Sequence, residues 1–335
     1  MWVKAAVLKA FGGPENLVLE TVPDPVPGPS QVLLRVRACA LNHLDLWIRA
    51  GLKGSGVKLP HILGSDCAGE ADGRRVAVAP GLCCGACAAC TDGREPDCAS
   101  YGIIGAYGGS PGGYAELLAV EKDHLLEMPE GMSFTEAASL PLTLLTAYSM
   151  LTTLGGVEAG QTVVVIGAGA GVAVAAIQIA KALGARVIAT TTDAAKVDRA
   201  KALGADHVLL VPPADLSREV RKLTQGAMAD CVFEHVGPAV FMDAVKCLRP
   251  SGRLVTCGST SGPVVELDMR YVFSRRLGIL GARMGTLAEM KAAWALVTSG
   301  KVRGVVDRVY PLSQARAAHE RLESRGQFGK VVLEP

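Results

Sequence analysis

The chain has 335 residues, is 50% hydrophobic and 20% charged, and carries a formal net charge of +2. That is length for two domains of about 150 residues and apolar content for a large core. The near-neutral charge, without blocks of like sign, excludes the footprint of a nucleic-acid or acidic-membrane partner. No run approaches the ~18 consecutive apolar residues of a membrane-spanning helix. The opening MWVKAAVLKAFGGPENLVL alternates like a strand and carries two lysines through its apolar part, unlike a secretory leader. The expected compartment is the cytoplasm, where the ten cysteines stay reduced.

Along the chain, PDPVPGPS (23–30) is a proline-punctuated loop unsuited to a central strand. Strands are predicted over VLLRVRACAL (32–41), RRVAVAP (74–80) and GYAELLAV (113–120), a β-rich unit that ends near residue 120. Within it lies CCGACAACTDGREPDC (83–98). Cys84, Cys87, Cys90 and Cys98 are spaced C-x2-C-x2-C-x7-C, which in a reducing compartment favours a metal over disulfides. The adjacent Cys83 reads as a bystander or a spare ligand.

The pattern changes near residue 135. FTEAASLPLTLLTAYSMLTTLG is helical, broken or kinked at Pro141. Strands and helices then alternate: TVVVIGAG (162–169), AVAAIQIAKALGA (173–185), RVIATTT (186–192), AAKVDRAKALGA (194–205), HVLLV (207–211), ADCVFEHVG (229–237), GRLVTCGST (252–260) and LGILGARMG (277–285). This predicts an α/β fold with a parallel, doubly wound sheet. The tail has two helical stretches and a final strand, GKVVLE (329–334).

The turn GAGAGVA (167–173) follows a buried strand and opens a helix. Glycines there permit a tight turn and let backbone N–H groups approach a pyrophosphate at the helix start. The candidate cofactor-binding residues are Gly167, Gly169, Ala170, Gly171 and Val172. An acid that would bind a ribose diol belongs at the end of the next strand, ~20 residues on. Thr190 to Thr192 stand there instead, with Asp193, Lys196 and Arg199 following. Hydroxyls and cations such as Thr191 and Lys196 suit a 2′-phosphate, so NADP(H) is favoured over NAD(H); the alternative is that the cations belong to a solvated helix face.

Taken together, GPENLVLE, ALNHLDLWIRAG (40–51), LGSDCAGE (63–70), the cysteine box, GGYAEL (112–117), LPLTLLTAY (140–148), the glycine loop with its helix, AKALGAD (200–206) and GKVVL (329–333) resemble the medium-chain dehydrogenase/reductase superfamily over essentially the whole chain. The stretch ADG between AGE and RRVAV is shorter than the loop usual there. The resemblance implies a GroES-like catalytic domain of residues 1–122 and 286–335 around an inserted Rossmann domain of residues 123–285. It also implies that Cys84, Cys87, Cys90 and Cys98 hold one structural Zn2+ per subunit. Four thiolates agree with that, being a closed tetrahedral set with no open position.

The zinc alcohol dehydrogenases of the superfamily hold a second, catalytic zinc. The resemblance places its ligand positions at Asn42, Ser65 and Leu142, an amide, a hydroxyl and a hydrocarbon. Without a Lewis acid the hydride acceptor is expected to be electrophilic already: a quinone, an enone or another activated carbonyl compound. ALNHLD matches the quinone-reductase-like branch. Asn42 is expected to face nicotinamide and substrate. Asp45 reads as an orienting or proton-handling group, or equally as a brace for a turn. Tyr107 reads as a donor to the substrate carbonyl or as packing; Thr143 and Thr146 contact the cofactor or pack between domains. Gly258, Ser259 and Met284, on loops after carboxyl ends of strands, are expected near the nicotinamide. The alternatives are an alcohol dehydrogenase with a metal site rebuilt from Cys39, His43, His61 and Cys67, and a non-catalytic nucleotide-binding redox sensor. The resemblance further implies a small-molecule substrate and a homodimer through the edge strand near 277–283, or else a homotetramer.

Overall fold

The computed structural model describes residues 2–335, which divide into two compact units. The first runs to Thr143 and takes in Gly285–Thr298 and Arg303–Pro335. Its centre is the strand Gln31–Ala40, where every second residue is buried along most of its length, as a strand with one face on a core requires. The sheet order is Leu125–Glu127, Arg74–Val78, Asp66–Ala71, Gln31–Ala40, Lys330–Glu334, Val306–Pro311, with Leu117–Glu121 also paired to Gln31–Ala40. A smaller sheet joins Leu17–Pro23, Trp2–Leu8 and His61–Ile62.

Register matters more than strand count here. Ala40 lies opposite Asp66 on one side and opposite Val332 on the other. Leu41 N–H continues this pairing by donating to Val331 O at 2.9 Å. The start of the tail strand and the start of Asp66–Ala71 therefore flank the end of Gln31–Ala40. The short turn noted in the sequence is a two-residue hairpin: Asp72 and Gly73 both have positive φ, at 49° and 73°, the geometry that matches strand twist.

Residues 123–143 pack with this first unit, so the division falls after Thr143 and not after residue 122. The reason is local. Leu125–Glu127 pairs with Arg74–Val78, and the helix Phe134–Ala138 packs on Gln31–Ala40 and Asp66–Ala71. A second helix, Pro141–Ser149, begins afresh with Pro141 as its first residue, where the missing N–H costs nothing.

The second unit is a parallel sheet in the order His207–Leu209, Arg186–Thr190, Thr162–Val165, Ala229–Glu234, Leu248–Thr256, Gly278–Gly281. In chain order this is 3-2-1-4-5-6, the doubly wound dinucleotide-binding arrangement. Apolar runs such as Val163, Val164 and Val165 are fully buried because both faces of the sheet are covered. Val164, Ile188, Val232, Leu254, Phe241 and Val245 belong to its core. The helices Pro213–Leu223, Phe241–Lys246 and Met269–Arg275 complete the alternation; they were not read from the sequence. Among the described residues, no helix is long and apolar enough to cross a membrane.

Candidate functional site

The cysteine box closes on itself. The Sγ atoms of Cys84, Cys87, Cys90 and Cys98 all lie within 4.8 Å of one another, with Cys87 to Cys90 and Cys98 to Cys84 at 3.6 Å and Cys84 to Cys90 at 3.9 Å. A zinc ion bonded at about 2.3 Å to four sulfurs sets them roughly 3.8 Å apart, so the donors fit. The backbone N–H groups of Ala86 and Cys87 draw the Cys84 thiol down to about 6, while Cys87 and Cys90, hydrogen-bonded among the other thiols, are pushed up to about 11. Cys83 is exposed and outside this group.

In the second unit the glycine loop joins Thr162–Val165 to the helix Gly171–Ala182, whose first residues are the candidates Gly171 and Val172 after Ala170. Gly167 has φ +69°, a conformation costly for any other residue, and its N–H donates to Thr190 Oγ1 at 3.1 Å. A Cβ on Gly169 would stand 2.7 Å from Lys196 Cδ, so the lysine stem lies across the loop. Thr191 is buried and accepts the Asp193 N–H at 3.1 Å, which turns the chain toward Lys196. The structure thus lays Lys196 across the glycine loop, and Thr191 follows Thr190, which is hydrogen-bonded to that loop. Gly258 packs against the His235 carbonyl. Ser259 O accepts the Gly262 N–H at 3.0 Å. Met284 has φ 58°, and its sulfur accepts Thr146 Oγ1 at 3.6 Å.

One organiser of these loops was missed. Glu234 is fully buried; its Oε1 accepts the N–H groups of Val236 and Gly237, and Oε2 accepts Thr256 Oγ1 at 2.6 Å. It ties together the loops after two neighbouring strands.

In the first unit, Asn42 precedes the helix His43–Arg49, and Asp45 reaches back to accept the Asn42 N–H at 2.6 Å. The other Asp45 oxygen accepts Gly64 N–H at 3.2 Å. Gly64 has φ +102°, and a Cβ there would stand 2.4 Å from Tyr114 and 2.7 Å from Cys39 Sγ, so only glycine brings this backbone to Asp45. Burial is the main reason that the Asp45 carboxyl is pushed up to about 7, against the pull of its two N–H donors and Lys330.

Behind Asp45 stands a buried chain. The Tyr114 hydroxyl faces Asp45, and burial with that neighbouring carboxylate holds the phenol well above its usual range. Tyr114 Oη is 3.2 Å from His319 Nε2, and Arg49 Nη1 is 3.1 Å from His319 Nδ1. Burial, then the Arg49 charge, pushes His319 down to about 3. The neutral ring accepts from Arg49 at Nδ1 and donates from Nε2 to Tyr114, whose own O–H is left for Asp45. Arg49 also pairs with the half-exposed Glu323.

Three positions expected to have lost a metal's ligands converge on Asp66. Asn42 Nδ2 donates to Asp66 Oδ2 at 2.9 Å, and Leu142 N–H donates to Oδ1 at 2.6 Å. Ser65, next in the chain, is fully buried, and its hydroxyl has no partner among the described residues. The cation here is Lys330: its Nζ donates to Asp66 Oδ2 at 2.8 Å and to Asn42 Oδ1. An amide, a hydroxyl and a lysine-paired carboxylate are a poor zinc donor set, and they do not fit the family's catalytic metal. Nor do the alternative ligands gather. His61 Nε2 is engaged with Gly105 O at 3.1 Å, and Cys39 and Cys67 face each other at 3.8 Å. Among the described residues, the four cysteines of the box are the one close group of three or more metal-ligating side chains. Tyr107 sits half-buried in a short turn, Tyr107–Gly109, with its carbonyl against Gly102.

A GroES-like unit with a closed four-thiolate loop and a six-stranded dinucleotide sheet define a nicotinamide-dependent oxidoreductase. Comparison with known proteins agrees. Residues 28–130 match the alcohol dehydrogenase GroES-like domain, and residues 171–299 match the zinc-binding dehydrogenase family. A quinone oxidoreductase of Pseudomonas aeruginosa is 31% identical over 97% of this chain and 98% of its own. A 2-haloacrylate reductase of a Burkholderia species is 30% identical over 99% of each chain. A solved structure described as an NAD-dependent alcohol dehydrogenase superposes with TM-score 0.94 at 42% identity, covering 99% of both chains. The chain belongs to the medium-chain dehydrogenase/reductase superfamily and is an NAD(P)H-dependent oxidoreductase.

Proposed function

We propose that this enzyme reduces quinones, enones and related activated carbonyl compounds with NADPH and without a catalytic metal. The observation that carries the reading is the replacement of a metal-binding set by Asn42, Ser65 and Leu142 around an Asp66 already paired with Lys330. The likeness to a quinone oxidoreductase and a 2-haloacrylate reductase supports it.

Bound NADPH supplies the hydride. This chain's residues then have to bind, orient and stabilise. In this reading Asn42 presents its amide to substrate and nicotinamide, locked in rotation because Oδ1 and Nδ2 have separate partners. Asp45 acts as the brace of Asn42: each of its oxygens accepts a backbone N–H group. Tyr107 remains the candidate donor to the substrate carbonyl. Thr146, Gly258, Ser259 and Met284 are the candidate contacts to the nicotinamide end, and Thr191 with Lys196 to a 2′-phosphate. Two copies would pair through the edge strand Gly278–Gly281, beside which Met269 and Phe273 are 58% and 68% exposed. A reducing cytoplasm suits thiolates that must stay available to zinc.

Alcohol oxidation is the second reading, favoured by the likeness to a structure described as an alcohol dehydrogenase. A substrate panel separates the two. The purified chain should consume NADPH with a quinone and an enone and reduce NADP+ with a primary alcohol at least about 100-fold more slowly. Faster turnover with the alcohol would overturn the proposal.

A further inference from the structure

Lys330 is 288 residues from Asn42 in sequence and only 4% exposed, yet it lies against Asn42 and Asp66. Those two contacts use two of its three N–H groups. Asp66 accepts from three donors, Leu142 N–H, Asn42 Nδ2 and Lys330. A buried ion pair adds little stability, because desolvating both charges offsets their attraction. The pair thus fixes a cation, with one donor to spare, beside Asn42 and Asp66.

Resting on the reductase reading, we propose that Lys330 is a catalytic residue. Its third N–H faces the carbonyl oxygen of the activated substrate and holds the charge that develops there. The β-carbon of an enone gains a C–H bond from the hydride, with the electron pair given up by the dihydronicotinamide. The C=C π pair moves into the adjoining C–C bond, and the carbonyl π pair moves onto oxygen as an enolate. Water then protonates the α-carbon, leaving ketone, oxidised nicotinamide and hydroxide. Lys330 keeps its proton throughout, as a fixed charge in a dry site must to stabilise the oxyanion. Asp66 and Asn42 act as positioning residues that aim it.

The test compares the full-length wild type with Lys330→Met and the double variant Lys330→Met/Asp66→Asn, which leaves no carboxylate buried alone. Cyclohex-2-enone and NADPH are the probes. Lys330→Met should lower kcat by about 100-fold or more, as loss of an oxyanion donor does. The NADPH dissociation constant should move less than about threefold, since the charge acts on the transition state. The double variant should regain melting temperature while kcat stays low, and added ethylammonium should restore part of the rate to either variant. Recovery of kcat in the double variant would overturn the proposal, because Lys330 would then merely neutralise Asp66. A loss confined to NADPH affinity would overturn it too. A wild type inert to every enone and quinone would instead sink the reductase reading itself.

Discussion

Asp45 shows how one side chain can serve a candidate site by bracing another. Its carboxylate accepts Asn42 N–H and Gly64 N–H, and burial pushes it up to about 7 from an ordinary 3.8. Protonation removes an acceptor and loosens Asn42. The rate with an enone should therefore fall as pH drops below about 7, while Asp45→Asn should be slow throughout and lack that limb. The sign for stability is opposite. With the folded value above the unfolded one, the Asp45 contribution is fully present below about 4 and is lost as pH rises through about 7. Melting temperature measured across this range should show that loss in the wild type and not in Asp45→Asn. The ionisable groups around Asp45 are Asp66, Lys330, Tyr114 and Cys39, and burial holds the Cys39 thiol and the Tyr114 phenol well above their usual ranges.

At the scale of elements, the cysteine loop and the glycine loop carry separate tasks. Cys90→Ser removes one of the four thiols that could hold a metal across residues 84–98. Zinc content should fall and the melting temperature should drop by several degrees, with kcat changed far less. Lys196→Ala bears on cofactor choice. The lysine stem crosses Gly169, so its removal should raise KM for NADPH by about tenfold and leave that for NADH nearly unchanged. Equal effects on both cofactors would assign Lys196 to the shared pyrophosphate or to packing.

Over the whole molecule, what was legible depended on the range of the signal. The glycine loop declares itself locally, because a buried strand, a turn that needs positive φ and an apolar helix follow within 20 residues of one another. The cysteine spacing does the same, and all four thiols meet. The residue types at positions 42, 65 and 142 are legible too. What surrounds them is not. Lys330 reads as one residue of a final strand, and only the register Ala40↔Val332, with Ala40↔Asp66 on the other side, brings it to Asn42. Glu234 hid for a similar reason: a carboxylate ending an apolar strand looks exposed until the loops fold over it. The division after Thr143 escaped because the helix Phe134–Ala138 has no local mark of the sheet it covers.

The central claim is that hydride leaves this enzyme for an acceptor activated by its own structure, beside a protein cation and not a metal. Zinc per chain, determined by atomic emission on a preparation that is turning over an enone, tests it most directly. The account predicts one zinc per chain, bound by Cys84, Cys87, Cys90 and Cys98. Two per chain, with turnover that disappears when the second is chelated and returns when it is restored, would contradict it.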